Sequence, residues 1–382
     1  MTTLRVLGWE HPRCILPLRA SAERWRELRP NVRVGLTARP LASFNDQPLS
    51  DLIDAFDIVM VDHPFIGVAE RQGLLVPLDT VLDRALLREL ETESIGPSHS
   101  SYTRNGHQWA IGIDAACHVS ASRPDRLPDP PRDWSGVLEL ARRSAGRVAW
   151  PLYPTDCICS FLTLYVSAGG ALTEQSAIFD RQPAGEVLDY LSEILPHLHR
   201  ETLGLNPPAV LDRMANTDEI DFVPLTFGYR ALAYPSDGSA PLAFAAPPAH
   251  RSGRPTPIVG GAGIALSATT RNLSEAAAYV AWLAEPRQQV EIIATAGGQP
   301  GARRAWQGGG DRFFSATRPA LEVAWVRPRA PWWPVLQERA GELLRAGLDR
   351  RDRSGDLWQA LNDLLSTCRA DASPAASAST SG

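Results

Sequence analysis

The chain has 382 residues, 44% hydrophobic and 21% charged, with a formal net charge of −5. This is globular composition at a length that suits two domains or one two-lobed unit, and without a basic block it excludes the footprint of a nucleic-acid or anionic-membrane binder. All 38 basic residues are arginine, which also excludes a phosphate loop with its lysine and any lysine Schiff base.

Residues 4–9 (LRVLGW) read as a strand, with no charged segment leading into a long apolar stretch; the sequence therefore predicts no secretory leader. Residues 16–30 place Leu18, Ala22, Trp25 and Leu28 on one helical face, ended by Pro30. Val32, Val34 and Leu36 alternate with strand period, and a short amphipathic stretch (49–56) precedes an apolar strand at 58–61. Strand, helix, strand, helix, strand predicts a parallel sheet with helices on its faces. Ligands of such sheets sit beyond the carboxyl ends of the strands. Trp9, Glu10 and His11 follow one strand end, and Asp62 and His63 follow another.

Further on, 107–119 predicts a strand, and Asp133 or Ser135 is placed to cap the helix that follows. Strands are also predicted at 147–156 and 219–235, each ending in polar and aromatic residues. Residues 257–306 predict a glycine-bearing strand, a helix with Asn272 and Glu275 in capping-box register, and a second helix closed by Gly297. The pattern is helical from 331 to 368, and 369–382 is too poor in apolar residues to fold. No run approaches the ~18 apolar residues of a membrane span. Five cysteines (Cys14, Cys117, Cys157, Cys159, Cys368) without framework spacing predict free thiols.

Several motifs in this order resemble the solute-binding proteins of ABC importers, in the branch that includes maltose-binding protein: the first strand ending in Trp9, DIVMVDHPF (57–65), RQGLLVPLD (71–79), LPDPPRDWSGVLELA (127–141), LYVSAGG (164–170), the block 258–286, GGQPGARRAW (297–306) and RPRAPWWPVLQERAGELLRAGL (327–348). The resemblance covers residues 4–368. It implies an α/β, periplasmic-binding-protein-like type II fold, with two lobes joined by a hinge around a ligand cleft. It further implies chain crossings near 112–115, 259–263 and 301. Lobe 1 is then 1–112 plus 260–302, and lobe 2 is 113–259 plus 303–368 with a disordered tail at 369–382.

On this resemblance Asp62 accepts a hydrogen bond from a ligand hydroxyl or amine; the residues alone equally fit a capping aspartate, with Pro64 in the first turn. The two roles are compatible, and His63 sits beside it. Trp9 is either a stacking wall or a core residue, with Glu10 and His11 adjacent. Tyr153, Asp156, Phe227 and Tyr229 offer ring faces and polar tips from strand ends. One of Trp332 and Trp333 is expected to line the cleft unless both pack into the core. Gly261 marks close backbone approach at a crossing strand.

The implied function is non-catalytic binding of a small polar solute, a carbohydrate or polyol-like compound, with no cofactor, no metal and no nucleic-acid partner. The chain is expected to be a monomer, cytoplasmic as written and acting as a sensor or carrier, or periplasmic or extracellular and serving an ABC permease if a leader was removed. The alternative is a cysteine-dependent enzyme resembling thiaminase I, with Cys117 as nucleophile. His118 is adjacent, but neighbours on a strand point to opposite faces. An interaction module that has lost its small ligand is the third reading.

Overall fold

The apolar runs at the start of the chain become strands whose order fixes where polar groups emerge. The computed structural model describes residues 1–40, 48–250, 253, 255–308 and 310–372. The strands are β1 (Thr2–Trp9), β2 (Val32–Arg39), β3 (Ile58–Val61), the short β4 (Thr103–Arg104) and β5 (His107–Gln108), β6 (Ile111–Ser122), β7 (Phe222–Phe227), β8 (Ala243–Ala245) and β9 (Val259–Leu266). The helices of eight or more residues are α1 (Pro12–Leu28), α2 (Arg84–Thr92), α3 (Trp134–Arg143), α4 (Pro154–Ser167), α5 (Arg181–Ile194), α6 (Pro207–Asn216), α7 (Leu273–Ala284), α8 (Arg312–Glu322), α9 (Trp333–Arg350) and α10 (Ser354–Asp371). They divide into two units: unit 1 holds 1–116 and 259–322, and unit 2 holds 117–258 and 323–382.

In unit 1, β1 pairs in parallel with β2 and β3, and β9 runs antiparallel on β3 from Ile58↔Leu266 to Val61↔Gly263. All four residues of β3 are buried, as expected of a strand covered on both faces. Leu4, Val6 and Met60 pack with Leu18 and Trp25 of α1 and Tyr279 and Val280 of α7, each side chain contributing about 1.5–3 kcal/mol by burial. Trp25 meets Tyr279 edge-on at 5.5 Å, and the Tyr279 hydroxyl is satisfied by Ser21 Oγ at 2.6 Å. Helix α1 starts earlier than its apolar period suggests, because His11 caps it and Pro12 occupies the first position. Leu28, placed on the buried face by the sequence pattern, is exposed.

Other local expectations shift for identifiable reasons. The stretch 49–56 forms two 3₁₀ turns, Leu49–Asp51 and Ile53–Ala55. Asn272 stands at the N-cap of α7 but makes no capping bond, because its amide donates to Asp57 Oδ1. Burial alone would raise the Asp57 carboxyl; bonds from Thr270, Arg5 and Asn272 outweigh it and hold the group below its usual range. After α7 the chain forms Pro286–Gln288 and a π-helical segment, Gln289–Ala294, before Gly297. The sequence reading draws the last lobe boundary after residue 302, whereas unit 1 runs on to Glu322. Residues 303–322 are held there by Trp306 against Phe314 (4.5 Å) within the segment, and by Arg304 on Glu93 (2.9 Å).

In unit 2, β7 and β8 pair antiparallel with β6. Helix α4 is buried almost all round and packs on α9. The strand expected at 147–156 does not form: only Val148 makes an isolated bridge, to Phe222. Pro151 lacks a ladder donor and Pro154 opens α4. The strand expected at 219–235 shortens to β7, and a 3₁₀ turn follows at Arg230–Ala233. The C-terminal helical pattern is two helices, with Arg351 left-handed at φ 62° after α9. Residues 369–371, expected in the tail, belong to α10, and 373–382 lie outside the described residues.

Candidate functional site

In unit 1 the polar groups gather where β1 and β3 end. Trp9, the last residue of β1, is only 4% exposed and packs into the core, and Glu10 beside it is exposed. His11 caps α1 by accepting from the Arg13 backbone N–H at Nδ1 (3.1 Å). Burial, reinforced by the Arg13 cation, lowers the His11 pKa to about 4. At neutral pH the ring is therefore uncharged, with Nδ1 an acceptor and the proton on Nε2, which makes its outer nitrogen a donor.

Arg13 and Asp114 complete this corner, and sequence reasoning missed both. The guanidinium grips the carboxylate with two bonds of 2.7 Å, and both side chains are buried. Burial pushes the Asp114 carboxyl up, and Arg13 opposes that shift. Asp62 also acts on Asp114 electrostatically, raising it further. The available signal was a lone acid inside the apolar run IGIDAACHV, since a charge in a buried strand needs a partner. Gly261 stands opposite: at φ +112° its Cα faces the Asp114 carbonyl, where a Cβ has no room.

Asp62 caps the 3₁₀ turn His63–Phe65, its Oδ1 accepting from the His63 backbone N–H at 2.8 Å and lying 3.0 Å from His63 Nδ1. The His63 ring is buried edge-on to Tyr102 (6.3 Å). Trp9, Arg13 and Asp114 line one small cavity.

In unit 2 the candidates are differently placed than expected. Tyr153 and Asp156 do not end a strand. Tyr153 is the N-cap residue of α4 and is 41% exposed; Asp156 is buried in the first turn, where the helix dipole favours an acid. Phe227 ends β7 and packs on the His118 ring at 4.4 Å, and Tyr229 just beyond is buried. Trp333 has no exposed surface, and its Nε1 donates to Gln337 Oε1. With neither ring face accessible, Trp333 is a core residue and not a stacking platform. Trp332 is 8% exposed, with the Arg369 guanidinium over its ring.

Cys117 is buried, and burial pushes its thiol far above the ordinary range. His118 is itself held neutral, with a pKa lowered to about 3 by burial and by Arg327, and its Nδ1 is bonded to Thr163 Oγ1 (2.8 Å). This is the reverse of what activates a nucleophilic thiol. Iodoacetamide at pH 8 is expected to leave Cys117 unmodified in the native protein and to label it fully after denaturation, as read by peptide mass mapping. Native labelling would revive the enzyme reading.

Comparison with known proteins decides the family. The model for bacterial extracellular solute-binding proteins matches residues 46–307. The chain belongs to that family. No curated protein matches this solute-binding protein in sequence. Among solved structures it is similar to the maltose-bound MalE3 protein of T. maritima (TM-score 0.82, 19% identity, covering 96% of this chain and 100% of the other). It is also similar to a ribitol-bound ABC transporter solute-binding protein from Agrobacterium radiobacter K84 (0.81, 16%, 96% and 98%). A Thermotoga lettingae TMO solute-binding protein bound with α-D-tagatose matches comparably (0.82, 13%, 96% and 100%). The fold is the two-lobed α/β fold of type II periplasmic binding proteins expected from the sequence. No helix among the described residues is long and apolar enough to cross a membrane.

Proposed function

We propose that this solute-binding protein holds a small polyhydroxylated solute, a sugar or polyol, without transforming it. Family membership supports the binding role, and the solved relatives with maltose, ribitol and tagatose support the ligand class. The observation that carries the reading is the gathering of polar groups at the ends of the paired strands β1 and β3 in unit 1: a neutral His11, Asp62, and the buried Arg13–Asp114 pair. Hydroxyl groups both donate and accept, so mixed polarity of this kind suits them. In unit 2, the half-exposed Tyr153 ring and the Asp156 carboxyl stand together at the start of α4. The solute would favour a closed arrangement only to the extent that it binds that state more tightly than the open one. Delivery to an ABC permease is the role proposed for the loaded protein.

Titration calorimetry with maltose, ribitol and tagatose tests this. At least one is expected to give saturable binding, weakened about tenfold or more by Asp62→Ala and by His11→Ala through loss of buried hydrogen bonds. Absence of binding by all three, or unchanged affinity in both variants, would overturn the assignment.

A further inference from the structure

Unit 2 carries a groove far from conventional strand-end chemistry. It opens between the start of α3, the outer face of α5 and residues 249–250, with a volume of about 840 Å³, within the ~300–1,000 Å³ typical of small-molecule pockets. Its floor is apolar and aromatic: Trp134, Leu138, Val187 and Tyr190. Trp134 is only 7% exposed, with one ring face stacked on Trp150 (5.2 Å, 13°) and Tyr190 edge-on to it (5.7 Å). Its indole N–H has no acceptor among the described residues, although every other polar group of the floor is engaged; the Tyr190 hydroxyl donates to the Trp134 carbonyl at 2.8 Å.

The rim is acidic. Glu193 is met by Arg142 (2.5 Å) and Glu186 by His250 (3.1 Å). Asp133 accepts from Ser135 Oγ and the Gly136 N–H, which hold its carboxyl below the usual range and therefore ionised. Asp189 makes no hydrogen bond or ion pair among the described residues. Among the described residues, four carboxylates thus face one guanidinium and one imidazole. The Tyr190 phenol registers the same field, raised first by burial and then by Glu193 and Asp133.

We propose that this groove is a second binding site, wholly within unit 2, for a small organic cation that also carries an oxygen acceptor. The cationic group sits over the aromatic floor and against Asp189 and Glu186, and the oxygen accepts from the Trp134 indole N–H. A neutral sugar meets only half of that arrangement, so the groove selects by charge. The inference does not depend on the sugar site, because none of its groups are shared with the corner around His11.

The test uses the full chain with Nα-acetylargininamide (argininamide) as probe and Nα-acetylcitrullinamide (citrullinamide), its uncharged near-isostere, as comparison. Calorimetry should show saturable binding of argininamide and none of citrullinamide, and the Trp134 indole NMR signal should shift with the same dependence. The double variant Asp189→Asn/Glu186→Gln changes two rim side chains of the groove and should fold normally; it is expected to bind argininamide about tenfold or more weakly. His11→Ala should leave that affinity unchanged while weakening sugar binding, which separates failure of one site from failure of the other. No saturable binding of argininamide, equal binding of citrullinamide, or unchanged affinity in the double variant would overturn the proposal.

Discussion

Asp114→Ala should cost about 3–5 kcal/mol of stability, because it strands the Arg13 guanidinium in a buried site with no carboxylate. Both partners are under a tenth exposed and meet through two bonds of 2.7 Å. Removing one leaves the other's desolvation unopposed, whereas removing both does not. The double variant Arg13→Met/Asp114→Leu should therefore recover much of the loss, since apolar replacements of a buried pair are often neutral or better. Denaturant unfolding followed by hydrogen exchange at unit 1 amides would read both effects. A loss under about 1 kcal/mol in the single variant, as surface pairs show, would mean that the pair is open to water.

The second large effect is expected at Gly261. At φ +112° an L side chain is strained, and a Cβ there would collide with the backbone of Asp114, which cannot swing away as a side chain could. Gly261→Ala should destabilise by about 3 kcal/mol or more, combining the backbone penalty with overpacking. Gly301→Ala should act in the same direction, since its Cβ would meet the Gly112 carbonyl. Gly185→Ala in α5 has open space around it and supplies the contrast: a gain of up to ~1 kcal/mol. Thermal melts of the three variants should rank in that order, and a neutral Gly261→Ala would mean the strands stand further apart.

Short apolar runs were the readable part of this chain. Residues 58–61 are apolar without interruption and became β3, buried on both faces, and 4–9, apolar but for the exposed Arg5, became β1. Asp133 was readable as a cap since its role is satisfied within three residues. Several of the failures turn on partners distant in sequence. Asn272 sits in capping register yet is claimed by Asp57, more than two hundred residues earlier. The strand expected at 147–156 fails for a local reason instead: prolines at 151 and 154 remove ladder donors and start a helix. Arg13 and Asp114 find each other across 101 positions. Trp332 and Trp333 were open to either role by type and spacing, and both pack into the core around α9, 8% and 0% exposed.

The pairing of β3 with β9 has a consequence for how the chain is made. Ile58 finds its neighbour in Leu266, so during translation the aliphatic edge of β3 stays open while roughly two hundred further residues emerge, a long-range closure of the slow kind. For that interval the nascent protein carries an unpaired, greasy strand edge, the sort of surface that invites misassembly. A ribosome-associated chaperone holding the first hundred residues would meet its strongest need there, and would be released when the glycine-bearing strand arrives.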